Sequence, residues 1–184
     1  MTIVAGLIED EKTYMAYDSQ ITFFGSGDNN NRTTVLKVVK KRDILIGMTG
    51  NDRDLNIVRY RFEPPTDRRE NPDEYIFIDF LDSFVSVFEK NNRITTTEGV
   101  TSIKDSEFLI AYKGSFYTIE HDLCVTQYKD KIISIGSGYR YALGALEILK
   151  DMNIPPEEKL TRALEIASKY DMYCKGPFKI EVIW

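Results

Sequence analysis

The chain carries a threonine directly behind its initiator methionine, and this residue is the first with a clear capacity for chemistry. Removal of Met1 would leave Thr2 with a free α-amino group. A hydroxyl and an amine on one residue can act together as nucleophile and base. Apolar runs at 2–8 and 13–18, with a charged turn between them, predict a hairpin. That hairpin would return the chain to its start and bring Asp18, at the end of the second run, beside Thr2.

Composition narrows the chemistry that the rest of the chain can support. The 184 residues carry a net charge of −5 and show no basic stripe, so we expect no nucleic-acid partner. Cys124 and Cys174 have neither disulfide-framework nor metal-site spacing. With His121 as the single histidine, a histidine-based metal site and a Ser-His-Asp triad are both disfavoured. The sequence therefore predicts neither a metal nor an organic cofactor.

The N-terminal apolar segment does not have the pattern of a targeting signal. Three consecutive acids, Glu9, Asp10 and Glu11, interrupt it, which is not typical of a secretory signal. No run of about 18 apolar residues occurs, so we expect no membrane span. We therefore expect a cytoplasmic protein with no membrane partner, formed by a single domain over 1–184.

The predicted elements alternate between groups of strands and pairs of helices. Strands are predicted at 2–8, 13–18, 35–41, 44–48, 108–112, 116–120, 124–128, 132–135 and 178–184. Helices are predicted at 55–62, 71–90, 139–150 and 155–171. A polar loop is predicted at 23–33, and a loop or ragged sheet edge at 91–105. Two sheets with a helix pair outside each would bury every apolar face. The expected fold class is therefore α+β, a four-layer αββα sandwich.

Four sets of short segments follow one another in the order of a known family. They are 2–4 with 16–22, 37–38 with 44–50, 133–139, and 171–174. Together they resemble the proteasome β-subunit superfamily, which includes HslV, the peptidase half of a bacterial ATP-dependent protease, and the Anbu-type bacterial relatives. The separation of Thr2 and Asp18, 16 positions (18 minus 2), is the spacing that this family shows without a gap. The resemblance implies the architecture of an N-terminal nucleophile (Ntn) hydrolase.

The resemblance implies a division of catalytic labour among a few residues. The Thr2 hydroxyl would attack a peptide carbonyl with its own α-amine as proton acceptor. Lys37, held in place by Asp18, would favour the attacking alkoxide. The Gly50 N–H would stabilise the oxyanion. Ser137 would support the Thr2 terminus by hydrogen bonding.

The same resemblance implies one further support and three substrate contacts. Asp171 would join Ser137 in supporting the Thr2 terminus. Thr22, Met48 and Asp52 would lie near the substrate. Simpler interpretations stand beside several of these roles. Asp171 could merely end its helix, and Asp52 could be a helix N-cap.

Two other catalytic candidates also have simpler interpretations. Lys37 is one of several lysines in 37–41, as an exposed strand often carries. Gly136-Ser137-Gly138 is a common turn at a helix start.

The chain also departs from the family in ways that bear on activity. Aligning its Ile3-Val4 pair with the same pair of HslV would place Met1 at the nucleophile position, whereas the gapless count to Asp18 favours Thr2. Cys174 stands where the family carries serine, which weakens one supporting hydrogen bond.

The resemblance therefore predicts a threonine peptidase subunit that cleaves peptides or unfolded proteins. It would form a homo-oligomeric ring, with an ATPase unfoldase as a candidate partner. Two alternatives stay open. One is a catalytically silent ring-forming scaffold that retains Met1, and the other is a non-proteolytic amidase that uses the same nucleophile.

Overall fold

The computed structural model describes residues 2–19 and 35–184, in which strands and helices alternate much as the sequence predicts. The strands are β1 (Ile3–Glu9), β2 (Lys12–Asp18), β3 (Val38–Lys41), β4 (Ile44–Thr49), β5 (Ile94–Thr97), β6 (Val100–Ile103), β7 (Glu107–Tyr112), β8 (Ser115–Ile119), β9 (Val125–Tyr128), β10 (Ile132–Gly136) and β11 (Phe178–Ile183). The helices are α1 (Asp52–Tyr60), α2 (Pro72–Glu74), a π-helical segment (Tyr75–Phe80), α3 (Leu81–Lys90), α4 (Tyr139–Leu149) and α5 (Pro156–Tyr170). The loop predicted at 23–33 lies outside the described residues.

Two antiparallel sheets form the centre of the fold. The first has the strand order β10-β1-β2-β11, and the second has the order β3-β4-β7-β8-β9. Strands β1 and β2 form the predicted hairpin. Their turn residues, Asp10 and Glu11, both have positive φ, which is the geometry that a two-residue hairpin turn requires. The hairpin places the start and the end of this segment at the same edge of the molecule.

Three buried clusters separate four layers. One cluster fills the space between the two sheets and includes Val4 and Met15 from the first sheet and Leu109 from the second. A second packs α4 and α5 onto the first sheet. A third packs α1, the π-helical segment and α3 onto the second sheet. The predicted four-layer αββα sandwich of the α+β class is therefore confirmed.

The structure corrects two predicted segments. The 91–105 segment, predicted as a loop or a ragged sheet edge, instead contains β5 and β6, which pair as a small separate hairpin. Its strands are mostly exposed and threonine-rich, so no apolar alternation marks them in the sequence. The strand predicted from Val35 begins only at Val38, and the three residues before it are irregular.

The aromatic residues of the helix predicted at 71–90 are only partly buried. Phe80, Phe84 and Phe88 are fully buried, but Phe77 is 42% exposed. The π-helical segment Tyr75–Phe80 widens the helix there, so Phe77, which lies within it, leaves the 3.6-residue register of Phe80, Phe84 and Phe88. No helix in residues 2–19 and 35–184 has the length and apolar character needed to cross a membrane.

Candidate active site

Thr2, Asp18 and Lys37 meet at the end of the first sheet, although 35 positions separate the outer two in sequence. The Thr2 hydroxyl donates to Oδ1 of Asp18 at 3.2 Å. The Lys37 ammonium donates to both carboxylate oxygens of Asp18 at 2.9 Å. The Ile3 N–H also donates to Oδ1 at 2.9 Å. Asp18 is fully buried and therefore acts as a fixed anion to which Thr2 and Lys37 are both tied.

The hairpin register explains why Thr2 occupies this position. Pairing runs without a bulge from Glu9 opposite Lys12 to Val4 opposite Tyr17. Continuing that register sets Ile3 level with Asp18, so the residue that extends just beyond Asp18 is Thr2. A bulge would be needed to move the register by one residue, and the β1–β2 pairing contains none.

Lys37 reaches Asp18 from the second sheet, just before β3 begins. Its backbone carbonyl accepts the Met48 N–H at 2.9 Å, which pairs it with β4. The side chain is buried, and burial lowers the pKa of Lys37 from its ordinary value while the Asp18 carboxylate opposes that shift. Lys37 is therefore not an exposed strand lysine, and it loses its proton more readily than a lysine in water does.

Cys174 lies close to the same ion pair. It is fully buried, and burial raises the pKa of its thiol to about 12, with the charges of Asp18 and Asp171 adding to the shift. The thiol therefore stays protonated beside Lys37 and Asp18 at neutral pH.

The turn at 136–138 holds the backbone of Thr2. The Ser137 N–H donates to the Thr2 carbonyl at 2.9 Å, and the Ser137 hydroxyl lies 3.4 Å from the same oxygen. Gly136 has φ of +94°, and a Cβ there would lie 2.1 Å from the Thr2 carbonyl oxygen. Only glycine permits this close approach. Sequence reasoning gave the neighbouring serine a role and overlooked Gly136, although the Gly-Ser-Gly motif contains it.

Asp171 packs against this turn and ends α5. Its Oδ1 accepts the Tyr173 N–H at 2.9 Å. Its Oδ2 is buried and has no hydrogen-bond partner within 2–19 and 35–184. A Cβ on Gly138 would lie 3.2 Å from that oxygen, so Asp171 directly contacts the Gly-Ser-Gly turn. The helix-end interpretation is correct for the backbone, and the side chain in addition directs a buried acceptor toward the turn that holds Thr2.

A cavity of about 520 Å³ opens directly beside Thr2. Residues from four separate segments line it: Thr2, Thr49, Gly50, Asn51, Asp105, Gly136 and Ser137. A larger cavity of about 1180 Å³ opens along β10 but is not lined by Thr2. The smaller cavity is the candidate substrate site because Thr2 and Gly50 both border it.

The residues predicted to contact substrate do not lie together around this cavity. Met48 is buried in the core between the second sheet and its helices, so it does not reach this cavity. Asp52 is exposed at the start of α1, near enough for its charge to act on Lys37. It is not the N-cap of α1, because the Asn51 side chain accepts the Arg53 N–H at 2.9 Å. Thr22 lies outside the described residues.

Comparison with known proteins relates this geometry to described relatives. HslV from Campylobacter hominis, named an ATP-dependent protease subunit, is 27% identical over 168 residues, covering 91% of this chain and 87% of HslV. The structure of the protein named BPH from Thiobacillus denitrificans, in complex with epoxomicin, superposes with a TM-score of 0.77 at 18% identity, covering 99% of this chain and 98% of BPH. HslV from Trypanosoma brucei superposes with a TM-score of 0.68 at 19% identity, covering 98% of each chain. No protein-family model matches the chain.

The resemblance to the proteasome β-subunit and HslV superfamily is confirmed. Structural coverage of nearly the whole chain shows that the αββα sandwich is the proteasome-like Ntn-hydrolase fold. In this proteasome-like fold, Thr2 and Asp18 from the first sheet meet Lys37 from the edge of the second.

Proposed function

We propose that the chain is a proteasome- and HslV-like threonine peptidase subunit whose nucleophile is Thr2, exposed by removal of Met1. The observation that carries the proposal is the buried contact of the Thr2 hydroxyl and the Lys37 ammonium with one carboxylate, that of Asp18. The similarity to proteins named ATP-dependent protease subunit supports a protease as the class of enzyme.

In the proposed reaction, the Thr2 hydroxyl passes its proton to the α-amine as its oxygen attacks the carbonyl carbon of a peptide bond. The positive charge of Lys37, held 2.9 Å from Asp18, favours the developing alkoxide and keeps the α-amine unprotonated. The carbonyl π bond breaks and leaves an oxyanion, to which the Gly50 N–H donates. Removing such a donor costs about 3–4 kcal/mol of barrier.

The tetrahedral intermediate then breaks its carbon–nitrogen bond. The proton held by the α-amine goes to the leaving nitrogen, and the acyl group stays on Thr2 as an ester. A water molecule attacks that ester, returns the hydroxyl to Thr2 and releases the carboxylic acid. Ser137 supports this sequence because its N–H fixes the Thr2 carbonyl at 2.9 Å.

The proposal extends to the assembly and to its partners. The whole chain, 1–184, acts as one domain in a homo-oligomeric ring, which the word subunit in the names of its relatives supports. Its substrates are peptides or unfolded proteins. The ATP dependence in the same names supports an ATPase unfoldase as partner. The proposed location is cytoplasmic.

Intact mass and active-site labelling test the proposal together. The purified full chain should lack Met1, and epoxomicin, the ligand named in the Thiobacillus denitrificans complex, should add its mass once per chain. Thr2→Ala should abolish both labelling and peptide hydrolysis. Thr13→Ala is the matched control because Thr13 is also a buried threonine on the same hairpin, distant from Asp18 in the register.

Three outcomes would contradict the proposal. Quantitative retention of Met1 in folded protein that does not hydrolyse peptides would point to the silent ring-forming scaffold. Labelling that persists unchanged in Thr2→Ala would place the nucleophile elsewhere. Hydrolysis of small amides without cleavage of peptides would favour the amidase.

A further inference from the structure

The loop that carries the proposed oxyanion donor rests on a buried network that is not part of the catalytic set. Gly50 has φ of +115°, and a Cβ there would lie 1.9 Å from the Asp105 carbonyl and 2.8 Å from the Ser106 hydroxyl. The Gly50 backbone is therefore pressed against the 105–106 segment. The position of the donor N–H depends on where that segment lies.

Ser106 accepts a hydrogen bond from Asn51, the residue after Gly50. The Asn51 N–H donates to the Ser106 hydroxyl at 3.1 Å, and that hydroxyl donates in turn to Oδ2 of Asp54 at 2.7 Å. Ser106 is 3% exposed and Asp54 is fully buried. Because the hydroxyl gives its proton to a carboxylate, its lone pairs are held toward the Asn51 N–H. The peptide unit between Gly50 and Asn51 is thereby fixed at its nitrogen.

Arg93 completes the network by binding Asp54. Its guanidinium contacts both oxygens of Asp54, from Nε to Oδ1 and from Nη2 to Oδ2, the latter at 2.7 Å. Nη2 also donates to the Lys104 carbonyl at 3.1 Å, two residues before Ser106. One guanidinium thus holds both the carboxylate and the chain segment that carries the hydroxyl. A bidentate arginine suits this role because its planar fork fixes direction as well as distance.

We propose that Arg93, Asp54 and Ser106 are positioning residues that set the oxyanion-binding loop at Gly50-Asn51. The inference rests on the proposed function, since it assigns the network to the stabilisation of the intermediate formed on Thr2. None of the three borders the candidate cavity together with Thr2, so they act through the loop and do not touch substrate.

Ser106→Ala is the sharpest test because it removes one hydroxyl and leaves the buried volume nearly unchanged. We expect kcat for a fluorogenic peptide to fall about 10- to 100-fold, since an error of about 1 Å in a catalytic group can cost 100-fold. KM should change less than twofold, because the loop acts on the intermediate. The control is Ser134→Ala: Ser134 is also a buried serine, and its hydroxyl donates to the Val4 carbonyl at 3.0 Å. It should retain the wild-type kcat.

A double-mutant cycle tests whether the residues act as one network. Asp54→Asn keeps the size of the side chain but loses the charge that orients Ser106 and Arg93. If the network positions the loop, Ser106→Ala should add little to the loss in kcat already caused by Asp54→Asn. Fully multiplicative losses would overturn the network.

Amide hydrogen exchange gives a readout that does not need activity. The Asn51 N–H should exchange at least about tenfold faster in Ser106→Ala than in wild type, whereas Ser134→Ala should leave it unchanged. Unchanged exchange, or an unchanged kcat in an active Ser106→Ala enzyme, overturns the inference and leaves the proposed function intact. A wild-type protein that neither hydrolyses peptides nor takes up epoxomicin overturns the proposed function instead, and with it the catalytic purpose of the network.

Discussion

Replacing Gly136 by alanine would push a methyl group into the backbone of the proposed nucleophile. The new Cβ would lie 2.1 Å from the Thr2 carbonyl oxygen, whereas ordinary contact begins at 3.4 Å. Either Thr2 or the turn must therefore move by about 1.3 Å (3.4 minus 2.1). A displacement of about 1 Å in a catalytic group can cost 100-fold, so kcat should fall at least that far.

The same substitution carries a separate cost in stability. An L-residue at the φ of +94° found at Gly136 costs about 1–2 kcal/mol, apart from the clash. Gly114→Ala is the matched control, because Gly114 has φ of +71° and a Cβ there would meet nothing within 4 Å. That variant should lose about the same 1–2 kcal/mol without losing activity.

The assay is peptide hydrolysis with the melting temperature measured on the same preparations. Gly136→Ala should remain folded, keep its Asp18–Lys37 pair and lose hydrolysis, whereas Gly114→Ala should lose stability alone. Wild-type kcat in Gly136→Ala would refute the argument that Thr2 must be held by this turn. Equal losses of kcat in both variants would show that the effect is strain in general and not the contact with Thr2.

Three further predictions concern buried or paired ionisable groups. Lys37→Met should abolish hydrolysis. It should also lower the free energy of unfolding by about 3–5 kcal/mol, because it leaves Asp18 buried without its cation. A melting temperature equal to that of wild type would contradict this. In the native protein at pH 8, iodoacetamide should modify the exposed Cys124 and spare Cys174, because burial raises the pKa of the Cys174 thiol to about 12. Mass spectrometry should find one adduct per wild-type chain and none in Cys124→Ser. Hydrogen bonds from the Lys113 ammonium and the Tyr112 hydroxyl lower the pKa of Asp67 from 3.8 to about 2. The charged form of Asp67 therefore stabilises the fold above about pH 4, and that stabilisation is lost as pH falls through about 2. Asp67→Asn should therefore melt below wild type at pH 7, and the difference should close between about pH 4 and pH 2; a difference that is constant with pH would contradict the ion-pair origin.

Local pattern predicted the elements well where burial is regular. Successive side chains of the 2–8 and 13–18 runs point to opposite faces of the sheet, and both faces are buried. The structure pairs these runs as β1 and β2. The segment at 91–105 escaped prediction because β5 and β6 form a small exposed hairpin with no buried face to impose a period of two. The exposure of Phe77 could not be predicted, because the π-helical segment that contains it changes the helical register without leaving a mark in the composition.

Some contacts of the candidate site could be predicted from local sequence, and others could not. Thr2 and Asp18 could be paired from sequence because one hairpin with a two-residue turn connects them, and local geometry then fixes the register. The contact of Lys37 with Asp18 crosses from one sheet to the other, and periodicity within a strand carries no information about that. The residues behind the Gly50 loop, Ser106 and Asp54 among them, come from segments far apart in sequence and were not predicted.

The sequence by itself determined the order of elements, the hairpin and the residue types on which the proposed chemistry depends. These follow from hydrophobic periodicity and turn chemistry, which act over a few residues. Only the tertiary structure decided which lysine is buried against Asp18, that Met48 belongs to the core, and that Gly136 touches Thr2. Those outcomes depend on how two sheets stack and how closely their backbones approach, and such distances are set by packing across the whole fold.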